Sequence, residues 1–176
     1  MSTLYVDTIN EKTSGNGVQI PGHVVQVQSA VLSSKVSTTS LVPTYVDTGL
    51  SVSITPKFST SKILIASSLM VANESTFSFF RLLRDTTALG LGDAAGSRQQ
   101  CTFMFYPDGG GANNISTANG HTFLDSPATT SPITYKWTWC NSSSSYQSVL
   151  NAVVRDSDAS YEPRGSSTIT LMEIAQ

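Results

Sequence analysis

From His23 onward, the sequence breaks into short runs of β-favouring residues separated by segments rich in Gly, Pro, Ser, Asn and Asp. This spacing is typical of an all-β sandwich or barrel. The 28 Ser and 21 Thr residues are weak helix formers and also favour extended backbone. Only "FFRLLRD", at 79–85, could pass for a helix, and it is short. The predicted strands are 23–36, 44–55, 62–72, 77–85, 98–106, 121–125, 133–140, 147–154 and 166–175.

Length and charge narrow the possible classes of protein. With 176 residues, the chain fits one domain with a core of its own. Its ten Lys and Arg residues are scattered and the net charge is −2, so we expect no nucleic-acid partner. No apolar run reaches 18 residues and the N-terminus lacks a basic segment followed by an apolar one, so we expect neither a membrane span nor a classical secretion signal. Cys101 and Cys140 are expected to be small buried hydrophobes, and a bond between them is left open.

The first 22 residues differ from the rest of the chain. "STLYVDTIN" alternates like a strand, and "EKTSGNGVQIPG" is a turn-rich link. This segment has too few apolar residues to form its own core. We therefore predict an extended arm over residues 1–22 and a head domain over residues 23–176.

Two predicted strands are apolar on both faces. In "KILIASSLMVA", at 62–72, Ile63 and Ile65 alternate with Leu64 and Met70. In the last strand, at 166–175, Met172 and Ile174 lie opposite Ile169 and Leu171, and Glu173 shares the side of Ile169. Because a sandwich strand buries one face and exposes the other, a second apolar face predicts a subunit interface. We assign that interface to Leu64, Met70, Met172 and Ile174.

Both tryptophans lie in one row with a tyrosine. Strand spacing puts Tyr135, Trp137 and Trp139 on the same side, and the alternating residues Thr134, Lys136 and Thr138 are polar. Such a row could stack on sugar rings or fill a core. The polar opposite side favours the core.

The longest loop is "YPDGGGANNISTANG", at 106–120. It combines an aromatic ring, amide groups and glycines that let a ligand approach the backbone. Tyr106, Asp108, Asn113 and Asn114 are the candidate ligand-binding residues. The alternative is a tolerated surface excursion without a ligand.

Catalytic and metal-binding patterns are weak throughout. His23 and His121 have no Asp, Cys or His at ligand spacing. Asp156, Asp158 and Glu162 form a sparse acidic loop that lacks the spaced acids and glycine of a calcium-binding loop. There are four Glu residues and no strained nucleophile turn. We expect no enzyme activity, no cofactor and no metal.

Several segments together resemble a known type of domain. "VSITPKFSTSKILIASSLMV", "RLLRD", "FLDSPATTSPITYKW" and "SSTITLMEIAQ" resemble the C-terminal domains of phage fibre and virion-surface proteins, especially those of marine and cyanobacterial phages. The opening "STLYVDTIN" is similar to the short N-terminal stretch of such proteins. The resemblance implies a jelly-roll β-sandwich of the C1q and tumour-necrosis-factor type, assembled as a homotrimer.

The resemblance also implies a setting and a function. The chain would be a virion structural protein, a fibre or capsid decoration, assembled in the host bacterial cytoplasm and bound to other virion proteins through residues 1–22. The alternative is a receptor-binding tail-fibre tip that recognises host-surface glycans. Fibres of this kind usually carry a long shaft before the head, and here only about 22 residues precede it. Capsid and tail locations therefore both remain open.

Overall fold

The computed structural model describes residues 6–10, 17–18, 20–107 and 116–176, and these residues form strands and loops without a helix. The predicted all-β class is confirmed. Eleven strands occur in the described part of the chain: β1 (Val24–Leu32), β2 (Val36–Thr38), β3 (Val46–Ile54), β4 (Lys62–Asn73), β5 (Ser78–Arg84), β6 (Thr87–Leu89), β7 (Phe103–Phe105), β8 (Ser116–Asp125), β9 (Ile133–Asn141), β10 (Ser148–Leu150) and β11 (Ser167–Ile174).

The strands form two antiparallel sheets. The first sheet has the order β1, β11, β4, β8. The short strand β10 pairs with the last residues of β4, and β2 pairs with β10. In the second sheet, β3, β9 and β5 are neighbours, and β6 and β7 both pair with β5. The chain passes from one sheet to the other between β3, β4 and β5, and again between β8, β9 and β11. This alternation is the wrapping of a jelly-roll sandwich.

Predicted and observed strands agree in position for most of the chain. The segment that could pass for a helix, 79–85, lies in strand β5 except for Asp85, which is in the turn after it. The predicted strand at 98–106 is wrong for its first half, because only Phe103–Phe105 pairs with β5. The predicted strand at 121–125 is too short, since β8 pairs with β4 along its whole length from Ser116.

The aromatic row of β9 lies in the core. Tyr135, Trp137 and Trp139 have no exposed surface. Phe103 packs edge-on against Trp137 with ring centroids 5.3 Å apart, and Phe80 packs against Trp139 at 5.8 Å. The predicted core role of the row is confirmed, so these rings are unavailable to a ligand. Truncating one large buried ring to alanine typically costs about 3–5 kcal/mol.

A buried chain of hydrogen bonds joins the two sheets at one end. Asn73 donates to the Ser78 hydroxyl over 2.8 Å, the hydroxyls of Ser78 and Ser148 lie 2.5 Å apart, and Ser148 donates to Asn141 over 2.7 Å. All four side chains are fully buried. Neighbouring members of the chain are hydrogen-bonded to each other, although the Asn73 Oδ1 is buried without a partner among the described residues. These small polar residues close this end of the sandwich where apolar side chains would otherwise be needed.

A charged cluster joins the sheets at the opposite end. Arg84 of β5 donates to both carboxylate oxygens of Asp125 of β8, over 2.9 and 2.7 Å. The Tyr135 hydroxyl donates to the same carboxylate over 2.7 Å. Burial, and then the neighbouring Asp125 carboxylate, raise the pKa of Tyr135, so the phenol stays protonated and keeps donating.

Glu173 of β11 is a fully buried acidic residue. Its carboxylate accepts hydrogen bonds from the Gln26 amide (2.6 Å), the Lys57 backbone N–H (2.8 Å) and the Phe58 backbone N–H (3.2 Å). The predicted inward side of Glu173 is confirmed. The carboxylate fastens the loop between β3 and β4 to the edge of the first sheet.

The junction between the proposed arm and the head is tied to the last strand. The Gly22 N–H donates to the Ala175 carbonyl over 2.8 Å, and the Ala175 N–H donates to the His23 carbonyl over 3.0 Å. Residues 6–10 are exposed. The boundary between residues 22 and 23 stays a prediction.

Candidate functional site

An apolar row crosses the outer face of the first sheet, meaning the side away from the second sheet. Strand register places Val27 opposite Met172, Met172 opposite Leu64, and Leu64 opposite Leu124. Val27 is 52% exposed and Leu124 48% exposed, whereas Met172 and Leu64 are half-buried by their neighbours. Four apolar side chains from four adjacent strands thus form one continuous band that faces solvent.

The next two rows of the outer face are small and uncharged. Their members are Ser29, Thr170, Ala66 and Thr122 in one row, and Val31, Thr168, Ser68 and Gly120 in the other. None of these side chains is charged, and Val31, 66% exposed, is the largest of them. The result is a flat surface beside the apolar row, of the kind that two sheets can share across a dry contact.

The four predicted interface residues occupy this face unequally. Leu64 and Met172 are neighbours in the apolar row, and Ile174 lies one row further, opposite Lys62. Met70 lies apart from the other three, six residues after Leu64 on β4. At that position, the loop around Gly165 of the same chain covers Met70. A Cβ built on Gly165 would lie 2.2 Å from the Met70 sulfur. A role in an interface stays a prediction for all four residues.

One of the four predicted ligand-binding residues is described, and it belongs to an aromatic stack. Tyr106 follows β7 and packs on Phe77 with ring centroids 4.4 Å apart and planes 23° from parallel. Phe77 in turn lies over Phe79 at 6.3 Å and 15°. Tyr106 is 45% exposed and Phe77 39% exposed. The other three predicted residues, Asp108, Asn113 and Asn114, lie outside the described residues.

Beside this stack, the outer face of the second sheet has an open groove of about 460 Å³. Its lining consists of Phe77, Phe79, Met104, Cys101, Arg98 and Gln99. Sequence reasoning missed this groove, because the residues come from two separate segments, 77–79 and 98–104, that meet only when β5 pairs with β7. The one available signal was a pair of phenylalanines, Phe77 and Phe79, on the same side of the predicted strand as Arg81.

The two cysteines are free thiols. Burial raises the pKa of Cys140 to about 11 and raises that of Cys101. Both thiols are therefore neutral at physiological pH. Cys140 is fully buried, as predicted, whereas Cys101 is half-buried at the wall of the groove.

His121 lies among core aromatic rings. Its imidazole packs edge-on against Trp137 at 5.4 Å and lies 6.4 Å from Phe103. Burial lowers the pKa of His121, so the ring is neutral at physiological pH. His23, by contrast, is exposed, and the two histidines do not share a site.

Cations neutralise most of the acidic loop at 156–162. Arg164 and Lys35 pair with Asp156 over 2.6 and 3.3 Å. Arg155 pairs with Glu162, which also accepts the Ser157 N–H. Within the described ranges, no group of three His, Cys, Asp or Glu side chains is arranged to hold a metal ion.

No protein-family profile matches the chain, and no curated protein is significantly similar to it in sequence. Among the described residues, no helix is long and apolar enough to cross a membrane.

Proposed function

We propose that this chain is a structural protein of a bacteriophage particle. Its head is a homotrimeric jelly roll of the C1q and tumour-necrosis-factor type, displayed on the virion surface. Residues 1–22 attach the head to other virion proteins. The sequence resemblance supports the phage setting, and the two-sheet fold is compatible with it.

The observation that carries the proposal is the apolar row on the outer face. Val27 and Leu124 each keep about half of their surface exposed in the single chain. Burying a whole Val or Leu side chain is worth about 1.5–3 kcal/mol, so covering each of these halves adds about 1 kcal/mol. Three copies that share this face around an axis would bury three such rows together, and the small uncharged neighbours would allow close approach.

A second candidate function is receptor binding by the same head. The aromatic stack of Tyr106, Phe77 and Phe79, with its groove, favours it. This site lies on the second sheet, so assembly through the first sheet leaves it accessible. The two functions are therefore compatible in one trimer.

Analytical ultracentrifugation tests the assembly. We expect a particle of about three times the 18.7 kDa chain mass. A chain that lacks residues 1–22 should still form this particle but should fail to join virions. A folded monomer at micromolar concentration would overturn the trimer, and a map of intact phage without this protein would overturn the virion assignment.

Host adsorption separates the two functions. Phage that carries Tyr106→Ala should adsorb normally if the head only decorates the particle. A large drop in adsorption, with trimer and incorporation intact, would assign the protein to the receptor-binding class.

A further inference from the structure

The floor of the groove on the second sheet is a shelf of stacked rings. Phe77 and Phe79 line this floor with ring planes 15° apart, Tyr106 stacks on Phe77 outside the lining, and Met104 at the side is 54% exposed. An exposed stack of this kind leaves apolar ring faces in water, where a flat ligand with an apolar face can cover them. A volume of about 460 Å³ is in the range of small-molecule sites.

Two polar side chains at the groove have unused bonding capacity. Within the described part of the chain, Arg98 makes no ion pair, and its guanidinium has one long hydrogen bond, 3.4 Å to the Ala95 carbonyl. The Gln99 amide, in the same part of the chain, has no hydrogen-bond partner. Ligand sites typically combine an apolar lining with a few such convergent polar groups.

The charge around the groove has one sign. Among the described residues, Arg98 is the charged member of the lining, and no carboxylate belongs to it. Arg81 lies behind the wall, with its guanidinium 3.9 Å from the Tyr45 ring centre and its Nε donating to the Gln100 carbonyl. Burial raises the pKa of the neighbouring Cys101 thiol, which is therefore neutral, so no described residue of the wall opposes an anion.

From these contacts, we infer that the groove binds an acidic saccharide. One face of a pyranose ring packs on Phe77 and Phe79, the sugar carboxylate pairs with Arg98, and a hydroxyl bonds to the Gln99 amide. The inference deepens the receptor-binding alternative under the proposed function and rests on it for its biological meaning. The binding chemistry itself depends only on the described groove.

Other classes of ligand would contact fewer of the groove's apolar and polar side chains favourably. A purely apolar ligand would cover Arg98 and Gln99 without bonding to them, which is unfavourable. An aromatic carboxylate would pair with Arg98 but leave the Gln99 amide unused. A neutral sugar would leave the guanidinium unpaired. A sugar ring with an apolar face, hydroxyls and a carboxylate can pack on the aromatic rings, bond to Gln99 and pair with Arg98.

The test uses the full chain labelled with ¹³C at the methionine methyl groups. Of the four methionines, Met104 lies at the groove, whereas Met70 and Met172 lie on the first sheet and serve as internal controls. The probes are methyl β-D-glucuronide, methyl β-D-glucoside and benzoate, each titrated at fixed ionic strength. The variants are Arg98→Gln, Phe77→Ala and, as a matched loss of one positive charge elsewhere, Lys57→Gln.

We expect the glucuronide to shift the Met104 signal with a dissociation constant on the order of 1 mM, and the glucoside to bind at least about fivefold more weakly. Arg98→Gln should bring the ratio of the glucoside and glucuronide dissociation constants close to one, and Lys57→Gln should leave that ratio unchanged. Phe77→Ala should weaken both sugars by a similar factor. Unchanged Met70 and Met172 signals verify that each variant is folded.

Three results would overturn the inference: no Met104 shift with the glucuronide, a glucuronide preference that survives Arg98→Gln, or benzoate binding as tightly as the glucuronide. Sedimentation of the same samples separates this inference from the proposed assembly. A monomer that binds the glucuronide contradicts only the trimer, and a trimer that does not bind it contradicts only the acidic-saccharide site.

Discussion

Replacing Glu173 with alanine should destabilise the head more than its position near the end of the chain would suggest. The substitution removes the acceptor for three donors: the Gln26 amide and the backbone N–H groups of Lys57 and Phe58. An unpaired buried donor costs about 1–3 kcal/mol. Because Lys57 is exposed and Gln26 is half-buried, water can reach some of these groups. We therefore expect a loss of about 3–5 kcal/mol, toward the lower end of the sum over three unpaired donors.

Thermal and urea unfolding measure this loss, with all samples at one protein concentration because assembly shifts apparent stability. For a domain of about 150 residues, the expected loss lowers the melting temperature by about 10 °C or more. Glu173→Gln should fall between the wild type and Glu173→Ala, because its amide keeps one acceptor for the loop but presents a donor toward Gln26.

Glu74→Ala is the matched control. The Glu74 carboxylate accepts one backbone bond, from the Gln147 N–H over 2.9 Å, and the side chain is only half-buried. This variant should lose about 1 kcal/mol. If Glu173→Ala lost no more than Glu74→Ala, the idea that the buried carboxylate fastens the loop to β11 would be wrong.

Three further predictions address the outer face, a close contact and a titrating group. Leu64→Asp should convert the trimer to monomers in sedimentation, whereas Ser51→Asp, on an exposed position of the second sheet, should leave it intact; a trimeric Leu64→Asp would contradict the interface. Gly165→Ala should cost about 1 kcal/mol or less in urea unfolding, because its Cβ would meet the end of the flexible, half-buried Met70 side chain, which can move away. Adding Met70→Ala should recover that loss, and a cost of Gly165→Ala that Met70→Ala leaves unchanged would contradict the contact. Burial lowers the pKa of His121, so as the pH falls the imidazole is protonated in the unfolded chain before it is protonated in the folded one. Stability should therefore fall as pH drops below about 6.5. His121→Gln should lose less stability between pH 7 and 5, and an equal loss would exclude the histidine as its source.

Local alternation was sufficient to predict much of the core. The row of Tyr135, Trp137 and Trp139 is inward because its neighbours are polar, and the structure buries all three rings. The inward side of Glu173 follows from the same spacing. These predictions succeed because side-chain direction in a strand depends only on position along that strand.

Features that depend on distant pairing could not be predicted. The first half of β8 is rich in small and polar residues and resembles a loop, but β4 supplies its ladder hydrogen bonds. The groove likewise needs β5 and β7 to pair before Phe77 meets Tyr106. In both cases the partner is remote in sequence, so no local pattern identifies it. The same limit applies to the Gly165 loop that covers Met70.

The backbone bonds between Gly22, His23 and Ala175 have a practical consequence for display of foreign peptides. A peptide fused after residue 176 would emerge beside the junction of the proposed arm and would compete for space with any partner of residues 1–22. Ala175 follows Ile174, which pairs with Lys62 at the start of β4. The loop before Ser148 lies at the other end of β4, where Ser148 pairs with Asn73. The two ends of β4 are about 35 Å apart at 3.3 Å per residue. The exposed serines at 144–145 are therefore the better insertion point for cargo, because they place it at the end of the head opposite the arm.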